Sequence, residues 1–483
     1  MNGLSQTLFR AWMKLGPRFL PFADVATPDL PLTRLLRLSL FQVSVGMAMV
    51  LLVGTLNRVM IVELGVPATL VGFMIALPLV AAPFRALIGF NSDTHRSQLG
   101  WRRVPFIWKG TLATFSGFAI MPLALLVLAG KGQADVWPAW VGQGSAALAF
   151  VLVGAGVHTV QTTGLALATD LTPPESHPKV VGLMYVMLLV GMMMSAMVFG
   201  ALLSDFSHGR LVQVIQGAAV ATMALNGLAM WKQEVRRPPR GKAPAMRDPT
   251  FVESWATFCE GDHTMRRLII IGIGTLAFGL ADVLLEPFGG QVLHLHVSDT
   301  TKLTALFALG GLFGFGYASY ELNRGGDAYR VSLAGAFLGL PGFLMILAAS
   351  PLGLLWPFLF GNFLIGFGGA LFGHGTLTVT MNRAPKSQAG LALGAWGAVQ
   401  ATAAGIGMAL SGAIRDVVNA TAGRSAGDAV GYNTVYALEI LLLVVTISVI
   451  LPLVGRGARR ATSTPEDLPV PLESAARQGS APT

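Results

Sequence analysis

The sequence predicts an all-α polytopic membrane protein of twelve transmembrane helices, arranged as two six-helix pseudo-symmetric halves. Three observations predict it: twelve long apolar runs, a composition that is 53% hydrophobic and 12% charged, and cations gathered in alternate loops. A spanning helix needs about 20 apolar residues, because the hydrocarbon layer is about 30 Å thick and a helix rises about 1.5 Å per residue. Charge-free runs lie at Leu38–Asn57, Leu64–Phe84, Gly110–Gly130, Val136–Thr169, Val180–Ser204 and Leu211–Trp231. Five more follow at Leu268–Ala281, Leu303–Tyr320, Val331–Ser350, Leu352–Met381 and Gln388–Ile414. A twelfth, Val430–Val454, is interrupted only by Glu439, and the short seventh continues past Asp282 and Glu286.

Taken in chain order, residues 1–33 form a cytoplasmic arm. Leu8, Trp12, Leu15 and Phe19 recur at helical spacing, and Arg10, Lys14 and Arg18 recur every four residues. That pattern is a helix lying in the interface, with Trp12 and Phe19 toward the bilayer and Lys14 toward anionic head groups. The first six-helix half spans 34–231 and the second 266–455. The linker between them, 232–265, carries Pro238, Pro239, Pro244 and Pro249 among basic residues. The tail, 456–483, is rich in Pro, Ser, Ala and Glu and is expected to be disordered. With the N-terminus in the cytoplasm, 26 Lys and Arg fall on the cytoplasmic side and six on the other. The positive-inside rule therefore places both termini in the cytoplasm. The same rule explains the net charge of +9 without nucleic acid. No cleavable signal peptide is expected. The single cysteine, Cys259, excludes an intrachain disulfide or a cysteine-based metal site.

A weak internal echo supports duplication. In "ATDLTPPESHPKVVGL" and "VTMNRAPKSQAGLALG" a polar residue, Asp170 or Asn382, stands three before a proline and a glycine-containing helix follows. Two six-helix halves around a midplane cavity are the architecture of the major facilitator superfamily. The turn "GFNSDTHRSQLGWRR" resembles the facilitator loop in which a carboxylate and basic residues latch the two halves, here Asp93, Arg96, Arg102 and Arg103. A solvated turn obeying the positive-inside rule is the alternative.

Four blocks carry a closer resemblance: "LPLTRLLRLSLFQVSVGMAMVLLVGTLNRVMIVELGVP", "FNSDTHRSQLGWRRVPFIW", "ATDLTPPESHPKVVGLMYVMLLVGM" and "ADVLLEPFGGQVL". They resemble the PucC/LhaA family, the bacteriochlorophyll-delivery branch of the facilitator superfamily. The resemblance runs from Leu30 to Val454. It implies an assembly factor for light-harvesting complexes that binds bacteriochlorophyll, or a late precursor, and delivers it to nascent antenna polypeptides. The core antenna is favoured over the peripheral one. Implied partners are those polypeptides, reaction-centre/antenna assembly intermediates, bacteriochlorophyll synthase and the membrane insertion machinery. The implied location is the bacterial inner, intracytoplasmic photosynthetic membrane.

Bacteriochlorophyll offers a magnesium that needs an axial ligand, and imidazole, amide and carboxylate groups can supply one. His158 and His374 lie in the fourth and tenth runs, each among small residues. A hydrogen bond across a helix interface is the alternative role for each. Six methionines between Met184 and Met197 are a candidate adaptable wall. Asp282 and Glu286 stand four apart, on one helical face, at membrane depth. There a carboxylate costs several kcal/mol unless paired, protonated or wetted. Pro287, Gly289 and Gly290 are expected to break the helix and line a cavity, with Gln291 beside them. The alternative is a structural pair bound to Arg58 or Arg85. His294 and His296 alternate in the next loop, but two ligands do not make a metal site, and no resident metal centre is expected.

No enzyme is expected. No GxxxxGK[ST] loop is present in the sequence, so ATP is not the energy source. Two other readings remain: an ion-coupled secondary transporter of a small solute using Asp282 and Glu286, and an antenna assembly scaffold that binds no pigment.

Overall fold

The structure is a computed structural model, and it describes residues 31–80, 85, 88, 92, 100–128, 137–173, 177–234, 264–383, 389–422, 427 and 429–454. Trp12, Lys14 and Phe19 of the arm, and Asp93 and Arg96 of the candidate latch, lie outside them.

The chain is an all-α polytopic membrane protein. Thirteen helices are named here: α1 (Leu32–Glu63), α2 (Ala68–Val80), α3 (Val104–Leu128), α4 (Ala139–Asp170), α5 (His177–Leu202) and α6 (His208–Met230), then α7 (Thr264–Gly279), α8 (Leu285–Gln291), α9 (Val297–Asn323), α10 (Ala328–Leu352), α11 (Leu355–Arg383), α12 (Ala389–Ala422) and α13 (Ala429–Ile450). Among the described residues, ten helices are long and apolar enough to cross a membrane. The other two apolar runs hold the shorter α2 and the broken pair α7 and α8.

Burial sorts the helices. In α1, 83% of the most apolar window is enclosed by protein, against 33–50% in the other nine. The first helix is therefore central, and its neighbours turn a face to lipid. Exposed Trp108 and Trp231 sit near one end, and exposed Trp137, Trp140 and Trp356 near the other. Amphipathic indole rings at both ends are what a membrane-water boundary selects.

Glycine sets how close the helices come. A β-carbon on Gly110 of α3 would lie 2.9 Å from the Gly156 carbonyl of α4, and one on Gly156 would lie 2.5 Å from the Gly110 carbonyl. The same reciprocal contact joins Gly335 of α10 to Gly368 of α11, at 2.5 and 2.7 Å. Without lipid-phobic driving force, such backbone-to-backbone packing is what holds membrane helices together. Local chemistry fixes helix ends: Asp327 caps α10 by accepting from Tyr329 N at 2.9 Å, and Gly353, at φ 62°, ends it in the left-handed region.

Two ends of the bundle differ. At the Arg103 end, Arg34 at the start of α1 is tied to Gln233 after α6 by three hydrogen bonds of 2.8–3.1 Å. At the Arg58 end, helices before and after residues 235–263 pack on each other: α2 on α12, α5 on α9, and α1 on α8 and α9. Gly72 and Gly412 make the α2–α12 seam, against the backbones of Met408 and Ala68.

Candidate functional site

The site begins with a break in the seventh apolar run. The helix stops at Gly279 and resumes at Leu285, so the interruption lies at Leu280–Leu284 and not at the expected Pro287–Gly290. Pro287 is the third residue of α8, where no intrahelical acceptor exists for an amide, so proline is tolerated there. What proline costs appears four residues upstream. The Val283 carbonyl has no amide at 287 to serve it, and Asn57 of α1 donates its Nδ2 instead, at 2.6 Å. Asn57 lies on α1 between two π-helical stretches, Val50–Leu56 and Val59–Glu63, which aim it across the interface.

The break also separates the two acids. A shared face four residues apart needs a continuous helix, which this is not. Asp282 sits on the break, half-buried, beside Glu439 of α13. Glu439 is fully buried, with the Ala281 backbone as the polar group directed at its carboxyl. Glu286 faces elsewhere: Thr304 of α9 donates to its Oε1, Gly54 of α1 lies against it, and its buried Oε2 has no partner. Asp282 and Glu439 thus meet at α13, while Glu286 sits apart among α1, α8 and α9. Of the expected cation partners, Arg58 lies within electrostatic reach of Glu286 but makes its ion pair elsewhere. Arg58 pairs with Glu63 and donates to the Leu295 carbonyl, with Gly290 packed under its guanidinium, and Arg85 lies against α4.

Gln291 is the last residue of α8, and its Oε1 accepts from Arg415 of α12 and from the Tyr432 hydroxyl of α13, both at 2.6 Å. Arg415 pairs with Asp416 at 2.7 Å, and Asp416 accepts from the Thr69 amide and hydroxyl of α2. With two donors on its carbonyl oxygen, Gln291 is a cross-link at the Arg58 end and not an open pigment ligand.

His158 of α4 and His374 of α11 are half-buried, and each has a buried Nδ1 without a partner. Among the described residues neither imidazole makes a hydrogen bond. His374 meets the Phe315 ring edge-on, with centroids 4.3 Å apart. His158 lies beside Arg85. The methionine run does not form one wall: Met194 and Met197 face outward, Met184 is in the core, and Met187, Met192 and Met193 are partly buried. His294 and His296 sit in the loop leading into α9. Among the described residues no group of three His, Cys, Asp or Glu is placed to hold a metal.

Arg102 and Arg103 are held by residues on the same side of the 235–263 stretch. Both pair with Asp170 at the end of α4, Arg103 at 2.9 Å, and Arg103 also donates to Ser92 at 2.6 Å. Glu234 accepts from the amides of Arg102, Arg103 and Val104 at 2.7–3.0 Å, placing negative charge on the N-terminus of α3. Among the described residues these contacts tie α3 to α4 and α6.

A family model described as "PUCC protein" matches residues 55–458. The chain belongs to the PUCC family. Family relatives include Protein PucC of Rhodovulum sulfidophilum, 62% identical over 86% of this chain and 92% of that one. Protein PucC of Cereibacter sphaeroides is 58% identical over 93% and 98%. An uncharacterized protein of the puhA-bchM intergenic region in Rhodobacter capsulatus is 47% identical over 92% and 94%. Among solved structures, this PUCC chain superposes on the peptide transporter PepTSo with a TM-score of 0.64 at 11% identity, over 87% of this chain and 98% of that one. A bacterial homolog of the lysosomal transporter Spinster, inward-facing and unoccupied, gives 0.62 at 16% identity, over 87% and 96%. At these identities the likeness establishes the fold, that of major-facilitator-type transporters.

Several site residues of this PUCC chain were not singled out by sequence. Asn57, Thr304, Arg415 and Tyr432 carry no local signal. Glu439 carried one, as the sole charge in its apolar run, and Asp170 another, as the acid ending a 32-residue helix.

Proposed function

We propose that the chain assembles light-harvesting complexes by holding bacteriochlorophyll between its two sets of helices and handing it to antenna polypeptides. Family membership supports the light-harvesting role. The observation that carries the pigment step is the pair of histidines on α4 and α11, each with a buried Nδ1 that has no partner among the described residues. The twelve-span arrangement belongs to this proposal: six spans in 34–231, six in 266–455, the linker 232–265 and both termini in the cytoplasm. The matching glycine contacts of α3 with α4 and α10 with α11 support it. The Arg103 end then faces the cytoplasm, where Arg102 and Arg103 brace one half. The membrane is the bacterial inner membrane.

The relatives named PucC, at 62% and 58%, are more similar than the intergenic-region protein at 47%. PucC-like members of the family serve the peripheral antenna by the resemblance, so that order supports the peripheral antenna over the core antenna favoured from the sequence. The partners remain antenna polypeptides and their assembly intermediates, with bacteriochlorophyll synthase and the insertion machinery as further candidates.

The test is pigment load. His158→Leu/His374→Leu protein, purified gently from a pigment-making host, should carry less bacteriochlorophyll at unchanged protein yield, since leucine keeps bulk and offers no lone pair. An unchanged load removes the histidines as ligands. A wild-type protein that never carries pigment moves the function to a pigment-free scaffold. One observation favours a second reading, ion-coupled transport: the buried Glu286 and Glu439, with the half-buried Asp282, have the composition of a coupling site. Proton-gradient-dependent solute flux in liposomes would support that reading.

A further inference from the structure

The outward face of α9 carries a ready-made helix-packing hole. Phe313, Gly316, Tyr317 and Tyr320 are all exposed. Their spacing, i, i+3, i+4 and i+7, is that of the four residues that surround one inserted side chain of a facing helix. Gly316 is the floor, and a β-carbon added there would meet nothing within 4 Å. The walls continue onto α11: the Phe313 and Phe363 rings lie 6.1 Å apart, those of Tyr317 and Phe367 6.5 Å, and Phe360 stacks on Phe363 at 6.2 Å. The helix pair beneath is rigid, because β-carbons on Gly310 and Gly314 would lie 2.2 and 2.4 Å from the carbonyl oxygens of Phe363 and Phe367. A surface already in its bound shape loses little entropy on binding.

Lipid is a poor cover for this face. Exposed Leu123, Leu148, Val220 and Leu441 show the aliphatic surface that other helices turn to acyl chains. An aromatic belt at the membrane boundary accounts for Tyr320, three residues before the end of α9. It does not account for Tyr317 and Phe313, about 9 and 15 Å inside that end. The hydroxyls of Tyr432 and Tyr436 are hydrogen-bonded, whereas among the described residues those of Tyr317 and Tyr320 have no partner. Acyl chains offer them none; a polar side chain on a neighbouring helix does. The edge of the face is positive. Exposed Arg324 lies over the Tyr320 ring at 4.6 Å, and exposed Arg330 follows on α10. The nearby acids are turned to main chain, Glu321 against Gly326 and Asp327 on the Tyr329 amide.

We infer that the groove between α9 and α11 docks a single transmembrane helix, that of an antenna polypeptide, which seats one apolar side chain over Gly316, hydrogen-bonds Tyr317 and carries an acid at the Arg324 boundary. The inference rests on the light-harvesting reading and adds where the partner sits. A four-residue hole selects a helix, whose side chains project at intervals, over a flat ring. The protected side of the same helix pair holds His374: Phe315, about 200° round α9 from Phe313, meets its ring at 4.3 Å. A docked antenna helix therefore lies one helix pair away from a candidate pigment ligand.

The test is photo-crosslinking of the full chain in a pigment-making host. Benzoylphenylalanine is placed at Phe313, at Tyr320 and, as a lipid-facing control, at Val220 of α6, and the adducts formed on illumination are identified by mass. Phe313 and Tyr320 should capture an antenna polypeptide, and Val220 should not. Gly316→Leu fills the hole. A β-carbon there meets nothing in the protein, so membrane abundance and pigment load should be unchanged. The antenna adduct at Phe313 should fall at least about tenfold, the scale of one overpacked contact. An unchanged adduct in Gly316→Leu protein overturns the inference. So do adducts at Phe313 made only with a second copy of this chain, with lipid or with pigment. Antenna capture at Val220 as efficient as at Phe313 overturns it as well, because the contact is then not specific to this groove. A different single-span protein captured in place of the antenna overturns the partner assignment. Antenna capture by a wild-type protein that never carries pigment upholds the docking and removes the pigment step, so the two readings fail separately.

Discussion

Asn57→Ala removes the side chain that serves the carbonyl stranded by Pro287. In the wild type, Asn57 Nδ2 reaches Val283 O at 2.6 Å and Val53 O at 2.9 Å, and Asn57 itself is fully buried. Val53 O is on the same helix; Val283 O is on another, and residue 287 has no amide for it. Leaving one buried carbonyl unpaired costs about 1–3 kcal/mol in proteins generally. Interhelical hydrogen bonds in membranes average nearer 0.6 kcal/mol and reach about 1.7. A loss of about 1–2 kcal/mol is therefore expected, a fall of about 1–2 °C in unfolding temperature for a chain of this size. The assay is tryptophan fluorescence on heating in detergent, for a double-mutant cycle with Pro287→Ala. Alanine restores an amide four residues beyond Val283, so Asn57→Ala should cost less than half as much in that background. Equal costs in both backgrounds would refute the reasoning, because Asn57 would then be stabilising something other than the stranded carbonyl.

Reporter insertions at Gly132 and Gly423 should read periplasmic, and those at Gly241 and Ser463 cytoplasmic; a periplasmic Gly241 would break the twelve-span scheme. Asp282→Asn with Glu286→Gln, and separately Glu439→Gln, should keep membrane abundance and reduce antenna assembly, measured by near-infrared absorption of the membranes. Loss of the protein itself would instead mark the acids as structural. Glu234→Ala frees three amides at the start of α3 and should cost about 1 kcal/mol, the scale of a lost helix cap, read as a drop in unfolding temperature that Glu234→Gln partly restores.

Hydropathy made the spans legible because a bilayer imposes one length and one polarity on every helix that crosses it. The same rule flagged His158, His374, Asp282 and Glu286, since polar atoms at that depth are expensive wherever they occur. Their partners were not legible. Asp282 and Glu439 are 157 positions apart, and Arg415 finds Gln291 across 124; no local spacing encodes such meetings. The break was misplaced for a related reason. Pro287 and two glycines are strong local breakers, but the helix resumes two residues before the proline because Asn57, far away in sequence, satisfies the carbonyl that proline abandons. The loop bearing Arg102 and Arg103 resembles a clasp between halves; among the described residues Asp170, 67 positions on, pairs with both arginines, and Glu234 accepts from their amides.

The glycine seam between α2 and α12 has a mechanical consequence. Side chains interleaved across a helix pair can change rotamer and let the helices slide. At Gly72 and Gly412 the main chain of each helix rests on the main chain of the other, and there is nothing to rearrange. Such an edge either stays shut or parts along its length. If the Arg103 end of the bundle widens to pass a rigid, flat molecule, the least costly motion is rotation about this line, with α2 and α12 as its axle and the displacement growing with distance from it.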